Sequence, residues 1–233
     1  MFDLNKTDWK QIYEQWYRFS ESEREEIANS LFKLPQKEKE ELFEREPYSL
    51  RVYVEKLRCF DEEDHLLLWL YLNESEEKYP KVTIIARTKL APDIDLLRIE
   101  KQYGKEPVVI GYETKILGRK RVFDPFYTGL GEVLCYFRYG INQAWLVIGI
   151  PSDVPKNEID RLKEIWKFLK NSRTIPTYIG LRIIREKNTS ENVDTPEGEF
   201  YVSSFEHAKY MRESLLKEQF TYSKTFIKIW KSN

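Results

Sequence analysis

The chain has 233 residues, of which 41% are hydrophobic, 15% aromatic and 33% charged, with 38 basic side chains against 39 acidic ones. That content can bury a core and excludes a wholly disordered chain, and the length suits one domain with an extension or two small domains. Without a run of eighteen apolar residues there is no membrane span, and the stretch from Met1 to Asp8 lacks the basic and apolar regions of a secretory signal, so a cytoplasmic protein is expected.

Residues 8–79 read as short helices. Trp9, Ile12, Tyr13 and Trp16 recur at helical spacing on one face, Ser20 with Glu23 makes a capping box, Pro35 opens a helix over 36–46, a fourth helix follows Pro47 and a fifth opens at Asp61. At Tyr79-Pro80 the pattern turns to strand. Val82 to Ile85 form a β-branched run, Asp93 to Leu97 form a second strand after Pro92, and Val108 to Leu117 a third. A helix from about Tyr127 to Tyr139 follows, stopped by Gly140, then a strand over 144–150, a helix over 156–170 and a strand over 177–184. The order βββαβαβ predicts an α/β fold in which helices flank a mixed β-sheet, behind an all-helical N-terminal region. Residues 187–199 are polar and loop-like, and 205–230 return to helix. The expected divisions are therefore a helical region over 1–79, an α/β core over 80–186, and a loop with a helical tail over 187–233.

The charge is unevenly spread: residues 1–80 hold 20 acidic and 12 basic side chains, leaving 19 acidic and 26 basic over 81–233. The acidic helices could hold a protein partner, and the basic remainder tolerates a polyanion, although solvated helix faces give the same tally. Cys59 and Cys135 lie far apart, and His65 and His207 stand without motifs around them, which excludes cysteine zinc knuckles and four-cysteine iron–sulfur clusters. Any metal must be held by carboxylates. No glycine-rich phosphate loop, dinucleotide fingerprint or nucleophile elbow is present.

The informative segment is Pro92-Asp-Ile-Asp95, followed after seventeen residues by Glu113-Thr-Lys115. In strands, side chains two apart share a face, so Asp93 pairs with Asp95 and Glu113 with Lys115; on neighbouring strands, carboxylates would converge around one ammonium. Such a cluster can hold Mg²⁺ or Mn²⁺ with a backbone carbonyl and place a lysine beside a bound water, whereas ion pairs on a solvated face would look the same in sequence. These residues resemble the PD-(D/E)xK nuclease superfamily, whose restriction-endonuclease-like core has this order of elements. The resemblance spans roughly residues 74–186. It implies Asp95 as metal ligand, with Asp93 as its competitor, Glu113 and the Thr114 carbonyl completing the metal site, and Lys115 assisting the water. RecB-like members carry a glutamine and a tyrosine four apart on the next helix; this chain has Glu132 and Tyr136 there. Glu132 could approach the metal or favour the helix dipole, and Tyr136 could equally be core packing. A glutamate on the helix before the first strand is also implied, with Glu74, Glu76 and Glu77 as candidates.

Arg119, Lys120 and Arg121, after the Glu-Thr-Lys strand, and Arg87 and Lys89, after the first strand of what would be an antiparallel meander of three, are candidates for phosphate contact, or for a solvated loop. In the tail, Lys217, Lys224, Lys228 and Lys231 alternate with Phe220, Tyr222, Phe226 and Trp230, which could stack on single-stranded bases or pack against a domain. The resemblance implies an Mg²⁺-dependent (or Mn²⁺-dependent) hydrolase of phosphodiesters in DNA, with RNA as second choice; it leaves the oligomeric state open, a homodimer being one option because many such nucleases pair to cut two strands. The rival expectation is a non-enzymatic nucleic-acid-binding or assembly protein that keeps the fold.

Overall fold

The computed structural model describes residues 4, 6–56, 63–74, 81–86, 92–101, 105–118, 121–185, 189–202 and 206–218. The chain divides into two compact units, Met1–Cys59 and Phe60–Asn233. Among the described residues no helix is long and apolar enough to cross a membrane.

The first unit is helical: α1 (Trp9–Glu14), α2 (Glu21–Phe32), α3 (Gln36–Arg45) and α4 (Pro47–Lys56). The starts of α1 and α2 have a local cause. The Asp8 carboxylate accepts from the Gln11 N–H at 3.0 Å, and Ser20 and Glu23 form the expected capping box, each side chain accepting from the other's backbone N–H. The other three helices meet α4, where Tyr53 is buried and stacks on Phe32 with ring centroids 4.3 Å apart. Trp9, Trp16 and Leu31 complete this core, the two tryptophans coming from the helical spacing read in the sequence.

The second unit opens with α5 (Glu63–Glu74) and contains a six-stranded sheet in the order β1 (Lys81–Ala86), β2 (Leu96–Lys101), β3 (Val108–Ile116), β4 (Gln143–Ile150), β5 (Ile179–Arg185) and β6 (Thr189–Asp194). The sheet is mixed: β1–β2, β2–β3 and β5–β6 pair antiparallel, β3–β4 and β4–β5 parallel. Parallel neighbours require crossovers, which α6 (Asp124–Tyr136) and α7 (Lys156–Asn171) supply. Alternation along the strands gives two buried faces. Leu97, Val109, Leu146, Ile148, Leu181 and Ile183 form one core with α6, α7 and α8 (Glu206–Glu218), whereas Tyr112 and Arg98 face α5 on the other side.

Four departures from the sequence reading have a physical reason in the structure. The strand expected over Asp93–Leu97 begins only at Leu96; Asp95 lies outside the ladder because its carboxylate accepts from the Thr114 N–H at 2.8 Å and hydroxyl at 2.7 Å, replacing a backbone rung. The helix expected from Tyr127 starts at Asp124, since Pro125 fits a first turn that has no use for its missing N–H. The strand expected from Thr177 begins at Ile179, behind the turn in which the Ile179 N–H bonds the Pro176 carbonyl. The polar stretch taken as loop contains β6, whose side chains are matched by charged neighbours: Glu191 meets Lys163 at 2.5 Å, Asp194 accepts from Trp166 and Lys170 at 2.9 Å, and Asn192 accepts from Arg182 at 2.9 Å. Polarity there marks ion pairing with a neighbouring helix and strand.

Gly140 ends the segment after α6 at φ 75°, as its position predicts, and a Cβ there would lie 2.4 Å from the Ala208 carbonyl oxygen. The close approach lets buried Arg212 of α8 donate to the Gly140 carbonyl at 2.6 Å and to Asn142 at 2.8 Å.

Candidate active site

Glu113 and Lys115 leave β3 on the face covered by α6, and Thr114, between them in the strand, holds Asp95 through its N–H and hydroxyl. On α6, Glu132 and Tyr136 are one turn apart and reach the same place. The Tyr136 hydroxyl donates to one oxygen of Glu113, and Lys115 donates to the other. Glu132 lies 2.9 Å from the Lys115 Nζ, and Glu63, at the start of α5, lies 4.0 Å from it. One ammonium therefore serves three glutamates, with Asp95 beside them.

The environment sets the ionisation. Glu113 is 2% exposed, and burial pushes its carboxyl up to about 9, the hydrogen bond with Glu132 and the charge of Asp95 adding to the rise. The same hydrogen bond, with Lys115, holds Glu132 below the usual carboxylate range against its partial burial. Burial raises Asp95, opposed by its two Thr114 hydrogen bonds and by Lys115. Burial works against the Lys115 ammonium, but Glu113, Glu132 and Glu63 outweigh it and hold its pKa above the ordinary lysine range. Burial, with the Glu113 charge, also raises the Tyr136 phenol, which stays a donor. Two acids of the same type are thus driven apart, Glu113 toward the neutral form and Glu132 toward the ionised one.

The structure brings together Asp95, Glu113, Thr114, Lys115, Glu132 and Tyr136. Asp93 is exposed on the approach to β2, where its charge is felt by Asp95. Arg121 is exposed beside Asp124 at 3.4 Å, and Arg87, Lys89, Arg119 and Lys120 lie outside the described residues, as do Glu76, Glu77 and the aromatics of the tail. Glu74 is not part of this cluster: it faces Tyr112, Arg98 and Arg182 on the other side of the sheet. Among the described residues no group of three or more His, Cys, Asp or Glu is arranged to hold a metal. Asp95 is engaged by Thr114, and Glu113 by Lys115 and Tyr136.

Two participants escaped the sequence reading. Glu63 sits in the acidic run Asp61-Glu-Glu-Asp64, where nothing in the pattern singles it out. Gly129 was detectable as a small residue one turn before Glu132 on the same helix face. A Cβ on it would lie 2.7 Å from Leu146 Cδ1 and 2.9 Å from Lys115 Cγ, so its absence lets α6 close onto β3 beside the lysine. Gly129→Ala is expected to cost about 1–3 kcal/mol by overpacking and to displace Lys115. Gly131→Ala, where a Cβ meets nothing within 4 Å, is expected to gain ~0.5–1 kcal/mol from helix propensity. Denaturant melts of the two variants check this opposition of sign. Comparison of the chain with family models, curated proteins and solved structures finds no match.

Proposed function

We propose that the chain is a divalent-metal-dependent nuclease acting on DNA, with the site at Asp95, Glu113 and Lys115. The observation that carries this reading is the gathering of an acid from the approach to β2, the Glu-x-Lys pair of β3 and a Glu–Tyr pair of the following helix around one lysine. The order βββαβαβ from β1 to β5, with this motif, also agrees with a restriction-endonuclease-like core. The donor chemistry fits Mg²⁺ or Mn²⁺: Asp95, Glu113, Glu132 and Glu63 offer hard oxygen ligands, and Lys115 alone leaves an excess of negative charge that a divalent cation would offset. Asp95, Glu113 and the Thr114 carbonyl would hold it, and when bound it supplies an acidified water and neutralises charge developing on the phosphate.

The chain's own groups have separable tasks in this reading. Thr114 fixes the Asp95 carboxylate by two hydrogen bonds, and Tyr136 fixes one oxygen of Glu113. Glu132 holds the Lys115 ammonium, which donates to the attacking water and orients it. The expected result is cleavage of labelled DNA in Mg²⁺ or Mn²⁺, none in EDTA, and a loss of at least ~100-fold in Lys115→Ala, assayed well below that variant's melting temperature. Binding without cleavage under every metal, across duplex, single-stranded, junction and RNA substrates, would overturn the reading in favour of a nucleic-acid-binding protein.

A further inference from the structure

Both oxygens of Glu113 are engaged: one accepts from the Tyr136 hydroxyl, the other from the Lys115 ammonium. A cation ligated by Glu113 has to displace one of the two. Tyr136 is fixed, because it is fully buried and its ring lies so close to Gly111 that a Cβ there would come within 3.0 Å of Tyr136 Cδ2. Lys115 is the partner able to move. Its stem is packed beneath Gly129, where a Cβ would lie 2.9 Å from Lys115 Cγ, but the bonds beyond Cγ leave the ammonium rotatable.

The groups that would receive the displaced ammonium are already beside it. Glu132 lies 2.9 Å from the Lys115 Nζ and Glu63 lies 4.0 Å from it, and unlike Glu113 both are partly solvated, with side chains 33% and 48% exposed. Partly solvated carboxylates stay charged at little cost, so they keep the ammonium paired when it leaves Glu113 and spare a half-buried cation the loss of its partners. An uncharged side chain at position 132 would leave Lys115 to Glu113 and the more distant Glu63, tightening the pair that has to open.

We infer that Glu132 is a positioning residue that draws the Lys115 ammonium off Glu113, with Glu63 behind it, and so sets how tightly the site takes up a divalent cation. The inference rests on the nuclease reading for Asp95 and Glu113 as the metal ligands, and it concerns metal uptake alone. Glu132 acts through Lys115 and not as a ligand.

Titration of the full chain with Mn²⁺ in the absence of nucleic acid, read from the EPR signal of the free ion, tests it. Saturable binding that is lost in Glu113→Gln is expected. Glu132→Gln should weaken that binding by ~10–100-fold, the range typical of residues that orient a metal's ligands. Lys115→Met removes the competitor and should bind Mn²⁺ more tightly than the wild type. Adding Glu132→Gln to Lys115→Met should then change the affinity by less than ~3-fold, because the carboxylate has no ammonium left to draw away. Lys115→Gln takes the place of Lys115→Met if the latter melts below the titration temperature. A loss of equal size with and without the lysine, which direct ligation by Glu132 or a role in packing alone would give, would overturn the inference. So would a Glu132→Gln affinity equal to the wild type's, or Mn²⁺ binding that is absent or survives Glu113→Gln, whether or not DNA is cut. The expected coupling without cleavage of any substrate would overturn the nuclease reading and leave this inference standing.

Discussion

Glu113→Gln should leave the chain as stable as the wild type, within about 1 kcal/mol, and should remove metal-dependent cleavage. The reason is the company Glu113 keeps. Its carboxyl is buried beside Asp95 and Glu132, and it is the member of that group driven toward its neutral form. Glutamine has nearly the same shape, keeps an oxygen to accept from Tyr136, and carries no charge to be desolvated; its NH2 takes the place of the oxygen that accepted from Lys115, whose ammonium turns to Glu132 at 2.9 Å. What the amide lacks is the capacity to ligate a cation as a carboxylate, so cleavage should fall by at least ~100-fold. Lys115→Met makes the opposite case. It leaves the carboxylates without their ammonium, and should cost about 2 kcal/mol, less than the ~3–5 kcal/mol of a fully buried broken pair because Glu132 and Glu63 are partly solvated. Paired thermal melts and cleavage assays read both quantities. Retained cleavage in Glu113→Gln would remove this residue from the chemistry, and a collapse of its melting temperature would assign it to the fold.

Much of this site was legible because strand geometry is local. Once Val108 to Leu117 is read as a strand, Glu113 and Lys115 must share a face, and once 127–139 is read as a helix, Glu132 and Tyr136 must share one. The crossover helix then has only the neighbouring sheet to cover, which brings the two pairs together. What sequence spacing could not supply was the use of side chains in place of backbone. Asp95 substitutes for a ladder rung through Thr114, so a strand expected at Asp93 begins three residues later. The polar residues 189–194 pair as a strand because Lys163, Trp166, Lys170 and Arg182, remote in sequence, offer them partners. Long-range polar pairing has no period, and an acidic residue such as Glu63 looks the same whether it ends beside a lysine or in water.

Glu74 shows the same limit from the other side, and its replacement should have the largest effect on stability. A glutamate on the helix before the first strand is a candidate for the site by resemblance. In the structure it is buried on the α5 face, accepting from Arg98 and Arg182 at 2.5 Å and from Tyr112 at 2.9 Å. Arg182 also lies over the Trp145 ring at 4.7 Å, and Arg98 meets Glu100 at 2.8 Å, while Glu74 is the carboxylate that the two guanidiniums share in one low-dielectric layer. Burial opposes ionisation of Glu74, yet Arg182, with the hydrogen bonds from Arg98 and Tyr112, outweighs it and holds the carboxyl below the usual range. Glu74→Ala leaves those cations facing each other and should cost ~3–5 kcal/mol, or a fall in melting temperature of roughly 6–20 °C for a unit of this size. The acid dependence follows from the sign of the shift. Between the lowered folded pKa and the unfolded one, the unfolded chain binds more protons, so this stabilisation is fully present above the ordinary glutamate pKa and is lost as pH falls through the folded value. The wild type should therefore lose melting temperature in that acidic window and the Glu74→Ala variant should lose less, the two curves converging as pH drops. Parallel curves would mean that another carboxylate carries the acid sensitivity, and an unchanged melting temperature at neutral pH would mean that α5 is held to the sheet by its leucines alone.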